Sequence, residues 1–171
     1  KDPFALRRAA LGVIRILLDG ELDIELDALL KISTLSMNQQ QAVSADALAD
    51  LRAFILERLK HYLRDQGHST ELVNAVLDAP LSSLPDLAAR LDALTGFMAH
   101  ENATSLVAAN KRIGNILRKS GQNTFNDIDE DILIIEEERH VFAEISTIAV
   151  KLDRLYNQAN YVAALSLLAS L

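Results

Sequence analysis

Five residues between Lys111 and Lys119 carry the clearest chemical pattern in this sequence. On a helix turning about 100° per residue, Lys111, Arg112, Asn115, Arg118 and Lys119 fall within one arc of about 120°,. Leu106, Ala109, Ile113, Ile116 and Leu117 form an apolar stripe on the opposite side, which is expected to face a core. Between Leu106 and Gly121 the sequence holds four cations and no acid. Cations bind phosphates, while an amide or a forked guanidinium reads base edges. The same spacing also suits a solvated helix face, with Lys and Arg in the last turn favoured by the helix dipole.

Two smaller sets have related chemistry. Arg8 and Arg15 lie two turns apart, so they share a strip on the first helix. Gly12 between them would let another backbone, of protein or RNA, approach closely,. A salt-bridged strip with Asp19 as partner is the alternative. Arg7 falls on the apolar side, near Leu11, Ile14 and Leu18, where an arginine must be paired or reach a site,. Arg58 and Tyr62 form an i, i+4 pair, and a tyrosine there can stack on an unpaired base or serve as core,.

Patterns for other chemistry are poor. Glu137-x-x-His140 has the spacing of a di-iron carboxylate helix. Its nearest second copy, Asp65-x-x-His68, is interrupted by Gly67. No HExxH, Walker or GxSxG motif is present, so no metal, ATP or nucleophile site is expected in these residues,. The acid run Asp127–Asp131 lacks the glycine and terminal glutamate of a calcium loop,.

The elements that must position these groups are helices. Asp2 as cap and Pro3 at the first turn predict a helix from Pro3 to Leu18, apolar nearly all round and packed on most of its circumference,. A short helix is expected over Leu26–Leu35, then a loop from Met37 to Val43. Ser44 caps a long helix, Ala45 to Gln66, with a core stripe of Leu48, Leu51, Ile55, Leu59 and Tyr62,. Ser69 caps a helix to Asp78, and Ser83 with Asp86 resembles a capping box that opens one to Ala99,. Further helices are expected over Thr104–Lys119, Leu133–Tyr156 and Ala159–Leu171, with a polar loop from Gln122 to Asp131. The expectation is an all-α fold, a single bundle of seven to eight helices over residues 1–171,.

Composition agrees. Of 171 residues half are hydrophobic but only 5% aromatic, so the core is aliphatic; six Gly and three Pro are few,. There is no Cys, hence no disulfide or thiolate site,. No apolar run reaches the roughly 18 residues of a membrane span without a charge,. The net charge of -7 opposes non-specific nucleic-acid binding, which needs a broad positive field,. Lys1 in place of Met, without a cationic-then-apolar leader, and the apolar ending ALSLLASL are expected of a piece of a longer polypeptide.

DPFALRRAALG, Asp2 to Gly12, resembles the start of the C-terminal helical domain of the bacterial glycyl-tRNA synthetase beta subunit, one of the DALR anticodon-binding domains. FILERLKHYLRDQGH, Phe54 to His68, and AANKRIGNILRKS, Ala108 to Ser120, resemble it in the same order. The resemblance implies a helical module that holds the anticodon end of glycine tRNA and is itself non-catalytic. It implies a cytoplasmic alpha2-beta2 parent that joins glycine to tRNA using ATP, with magnesium and amino-acid activation in the alpha subunit. The residues expected to meet tRNA are Lys111, Arg112, Asn115, Arg118 and Lys119, then Arg8 and Arg15, with Arg58 and Tyr62 beside them. The alternative is a helical protein-docking domain, for which the apolar ends and the acids Glu136–Glu138 would suit an interface.

Overall fold

The computed structural model describes residues 3–37, 43–121, 128 and 130–170. Among them the fold is all-α, with eight helices and no strand: α1 Pro3–Asp19, α2 Leu26–Met37, α3 Ala45–Asp65, α4 Thr70–Asp78, α5 Leu84–Met98, α6 Ala103–Ser120, α7 Glu136–Asn157 and α8 Tyr161–Ala169. The Asp2 cap, the expected loop at 38–42, Leu171 and most of the polar loop and acid run (122–127 and 129) lie outside the described residues. The chain divides into two compact units, Lys1–Thr95 and Gly96–Leu171.

In the first unit α1 packs chiefly on α3. Ala10, Ile14 and Leu17, spaced i, i+4, i+7, form the buried face of α1,. Ile55, Leu59 and Leu63 form that of α3. α1 is therefore not buried nearly all round: Leu6 is 64% and Ile16 65% exposed, because one principal neighbour covers one stripe,. The α3 stripe is also shifted from expectation. Leu63 is buried, Leu51 is exposed, and Tyr62 sits at the edge of the core. Leu26 and Leu30 of α2, Val73 and Val76 of α4, and Leu84, Leu87 and Leu91 of α5 complete this core.

Caps and polar ties fix where the helices start. Ser44 Oγ accepts from Ala47 N at 3.2 Å, and Ser69 Oγ from Leu72 N at 3.3 Å. Gly67 takes a φ of +98°, a conformation suited to glycine, so the chain turns away directly after α3,. Arg52 Nε donates to Asp27 Oδ1 at 2.7 Å and ties α2 to α3. Half of the expected capping box forms: Asp86 N donates to the buried Ser83 Oγ at 3.4 Å. The Asp86 carboxylate accepts from Ser82 Oγ and pairs with Arg90, whose guanidinium also reaches Pro80 O at 2.9 Å.

In the second unit α7 packs on α8. Asn160 Oδ1 caps α8 through Ala163 N at 3.2 Å, and the Tyr156 and Tyr161 rings meet at 5.9 Å. Asn102 Nδ2 donates to Ala169 O at 2.9 Å, joining the start of α6 to the end of α8. α7 starts at Glu136, not Leu133. Ile135 is extended, its N–H reaches Glu138 Oε2 at 3.4 Å, and three acids in the first turn complement the helix dipole,. The α6 stripe expected to face a core does not: Ile113 is 55% and Ile116 56% exposed. This unit's buried residues are few and mostly small, among them Ala103, Ala164 and Ala169, so it offers α6 little to pack against.

Two stability measurements check this packing. Leu59→Ala, which empties a fully buried site, is expected to cost about 2–5 kcal/mol, and Ile16→Ala under about 1 kcal/mol, in urea titrations followed by circular dichroism,. A Cβ added at Gly12 meets no atom of the described residues within 4 Å, so none of them requires a glycine there. Gly12→Ala is expected to raise stability by about 0.5–1 kcal/mol in the same titration.

Candidate nucleic-acid interface

Once Ile14 and Leu59 are packed inward, the rotation of α1 and α3 is set, and their rims carry the polar groups. Arg8 and Arg15 stand on the exposed strip of α1. Arg7, expected on the apolar side, is exposed as well, since the buried stripe runs through Ala10 and Ile14. On α3, Arg58, His61, Tyr62 and Asp65 follow at i, i+3, i+4 and i+7 and so share a face,.

These two edges meet. A concavity of about 310 Å³ lies between them, lined from α1 by Arg7, Arg8, Leu11 and Arg15. From α3 and its cap it is lined by Arg58, His61, Tyr62, Asp65 and Gln66. The Arg15 guanidinium carbon lies 5.9 Å from the centre of the Tyr62 ring, within cation–π range,. It makes no ion pair among the described residues, so the salt bridge to Asp19 weighed above is not formed. Arg58 sits against the Phe54 ring at 5.8 Å, and its Nε is buried with no hydrogen-bond partner. His61 Nε2 lies 3.5 Å from Glu57 Oε1.

Four guanidinium groups around one carboxylate form a local positive field in an otherwise acidic chain. Such a concavity attracts anions, and a tyrosine rim adds a flat surface for a planar ring. The structure thus brings Arg8, Arg15, Arg58 and Tyr62 to one place. Sequence spacing related them only in pairs, did not single out His61 and Gln66, and weighed Asp65 only for an incomplete metal pattern. The i, i+3, i+4, i+7 register of the polar groups on α3 was the available signal.

The α6 set belongs to the second unit. Lys111, Arg112, Asn115, Arg118 and Lys119 are all exposed on that helix. Arg118 donates through Nη2 to Asn115 Oδ1 and through Nε to Gly114 O at 3.3 Å. Asn115 and Arg118 therefore engage each other on the exposed face of α6. Elsewhere, His140 Nε2 faces Glu144 Oε1 at 3.7 Å, one turn away from Glu137. Among the described residues no three His, Asp or Glu side chains are grouped to hold a metal ion. Nor is any described helix long and apolar enough to cross a membrane.

Comparison with known proteins matches this sequence to a family of known proteins over part of its length. The family model described as glycyl-tRNA synthetase beta subunit matches residues 1–78, which include every residue lining the α1–α3 concavity. The glycine–tRNA ligase beta subunit of Janthinobacterium sp. (strain Marseille) is 39% identical over 171 residues, all of this chain and 24% of that protein. That of Leptothrix cholodnii is 41% identical over the same length, again 24% of that protein. That of Nitrosomonas europaea is 38% identical over 183 residues, all of this chain and 26% of that protein. The chain spans about a quarter of the length of these relatives. From end to end the chain is similar to one region of glycine–tRNA ligase beta subunits, and its first 78 residues match the family model of the glycyl-tRNA synthetase beta subunit.

Proposed function

We propose that this chain is a tRNA-contacting part of a glycyl-tRNA synthetase beta subunit and that it holds unstacked anticodon nucleotides. The observation that carries this reading is the convergence of Arg8, Arg15, Arg58 and Tyr62 on one concavity of a chain whose net charge is -7. The mechanism is recognition without bond making. Guanidinium groups hold phosphates, the Tyr62 face accepts a base, and the exposed Lys111, Arg112, Asn115, Arg118 and Lys119 of α6 supply a second set of RNA contacts,. In this reading the parent enzyme attaches glycine to tRNA using ATP in the cytoplasm. The alpha subunit is the partner that activates the amino acid, within an alpha2-beta2 assembly.

A second reading, docking to protein alone, is favoured by the α6 stripe, where Ile113, Ile116 and Leu117 stand exposed,. The two separate by experiment. The chain is titrated with a glycine-accepting tRNA and with the same tRNA carrying a replaced anticodon, at about 50 mM salt, where backbone contacts stay strong. Tighter binding of the native anticodon is expected, with log K falling against log salt by roughly 0.7 for each single-strand phosphate held. Absence of binding to either tRNA, with capture of the alpha subunit, would transfer the assignment to docking.

Two variants test the residues. Tyr62→Ala is expected to weaken tRNA binding by about 1–3 kcal/mol, the usual worth of one base stacked on an aromatic ring, while Tyr62→Phe retains most of it. Reversing charge at Lys111, Arg112 and Arg118 together is expected to abolish binding with helicity unchanged by circular dichroism. Unchanged affinity in that triple variant would remove α6 from the interface.

A further inference from the structure

The second unit has no aliphatic core like that of the first. Among the described residues its buried hydrophobics are Phe97, Ala103, Tyr161, Ala164 and Ala169, with no Leu, Ile or Val. A helical unit with so little apolar burial is poorly stabilised alone. Its large aliphatic side chains stand on open helix faces instead. On α6, Leu106, Ala109, Ile113 and Ile116 follow at intervals of three, four and three, the spacing of a seam that packs on another helix,. Ile113, Ile116 and the adjoining Leu117 are exposed, and among the described residues α6 packs extensively on no other helix. α7 does not cover it. That helix repeats the spacing with Val141, Ile145, Ile148, Leu152 and Leu155, but it packs on α8, where the last three are half-buried.

Charge describes the neighbour that the α6 seam fits. In the register of the seam, Arg112 and Lys119 occupy flanking positions, which pair across a helix interface,. No acid stands between Leu106 and Gly121 to neutralise them. A second copy of α6 laid antiparallel would set cation against cation, so the fitting occupant carries acids along that edge. Lys111, Asn115 and Arg118 lie on the opposite side of the helix, clear of the seam. The chain spans about a quarter of the length of its relatives, so most of a full-length beta subunit is left to supply such a helix. A helix on the same polypeptide also acts at a high effective concentration, which a separate partner lacks.

We infer that in the full-length beta subunit the α6 seam is covered by an amphipathic, acid-flanked helix from outside residues 1–171. That helix completes the core of the second unit and holds Lys111, Asn115 and Arg118 outward. This rests on the chain being part of a beta subunit and is independent of RNA binding, which the tRNA titration tests separately.

Cysteine labelling tests it. The chain has no Cys, so Ala109→Cys on the seam and Ala108→Cys on the cationic side each add one thiol with little change in size. Both positions are exposed, and a maleimide is expected to label them at similar rates in the 171-residue chain. In the full-length beta subunit, read at that peptide by mass spectrometry, Ala109→Cys is expected to react about tenfold or more slowly than Ala108→Cys, because its thiol is reached only when the helices part. Adding Arg112→Glu and Lys119→Glu to Ala109→Cys is expected to restore most of the rate, whereas adding Lys111→Glu and Arg118→Glu is not. Equal rates at the two sites in the full-length subunit overturn the inference, and equal effects of the two charge-reversed pairs overturn the acid-flanked occupant. Slowing of Ala109→Cys already in the 171-residue chain also overturns it. The cover is then α7 if the slowing is independent of concentration, and a second copy if it grows with concentration. Slowing that needs added alpha subunit overturns it in favour of docking between subunits.

Discussion

The packing of α1 against α3 is the constraint on which the concavity depends. Ile14 and Leu59 are both fully buried, and each sits next in sequence to a cation, Arg15 and Arg58. A residue one position along a helix is rotated by about 100°, so burying the leucine or isoleucine necessarily brings its neighbour to the rim. Leu63 and Tyr62 repeat this arrangement one turn later on α3. The aliphatic stripe that lowers the free energy of folding thus also sets the direction of the groups proposed to bind. A slip of either helix about its axis would expose the stripe and bury guanidinium groups at a cost that packing could not offset.

Acidity of the whole chain and local positive charge are reconciled by where the acids stand. Asp27, Asp46, Glu71 and Asp86 lie in the first turns of α2 to α5, and Glu136, Glu137 and Glu138 in that of α7. There the helix dipole stabilises them, by roughly 0.3–1 kcal/mol each at an exposed end. Seven of the 24 acids therefore serve helix starts. Total charge is a poor guide to partners in such a chain, because the field at a concavity is set by groups within about a Debye length, ~10 Å at 0.1 M salt.

Helices and caps were legible in the sequence because their causes are local. Ser44, Ser69 and Gly67 act through hydrogen bonds and dihedrals a few residues away, and each is found in its expected role. Burial was less legible, since it depends on which neighbour arrives. The first helix reads as apolar all round, yet Leu6 and Ile16 are exposed, and the α6 stripe that reads as core is open. The α7 start was misplaced by three residues because Leu133, Ile134 and Ile135 look helical by hydrophobicity, whereas the acids that stabilise a first turn begin only at Glu136. Arg8, Arg15, Arg58 and Tyr62 were each identifiable as candidates. Their meeting was not, because it depends on contact between segments some forty residues apart.

The two cationic arrays proposed to meet RNA differ in preorganisation. In the concavity, Arg15 is oriented by the Tyr62 ring and Arg58 by Phe54 and by burial of its Nε, on two helices locked by a shared core. Such side chains lose little rotamer freedom on binding, so more of the interaction energy appears as affinity and selectivity. On α6, only Arg118 and Asn115 restrain each other, and the apolar side of the helix stands open. Long exposed lysines there suit phosphate contacts that tolerate many geometries. In the proposed function, ordered contacts therefore belong with the concavity and adaptable backbone attraction with α6. The family match over residues 1–78 contains the first of these surfaces whole.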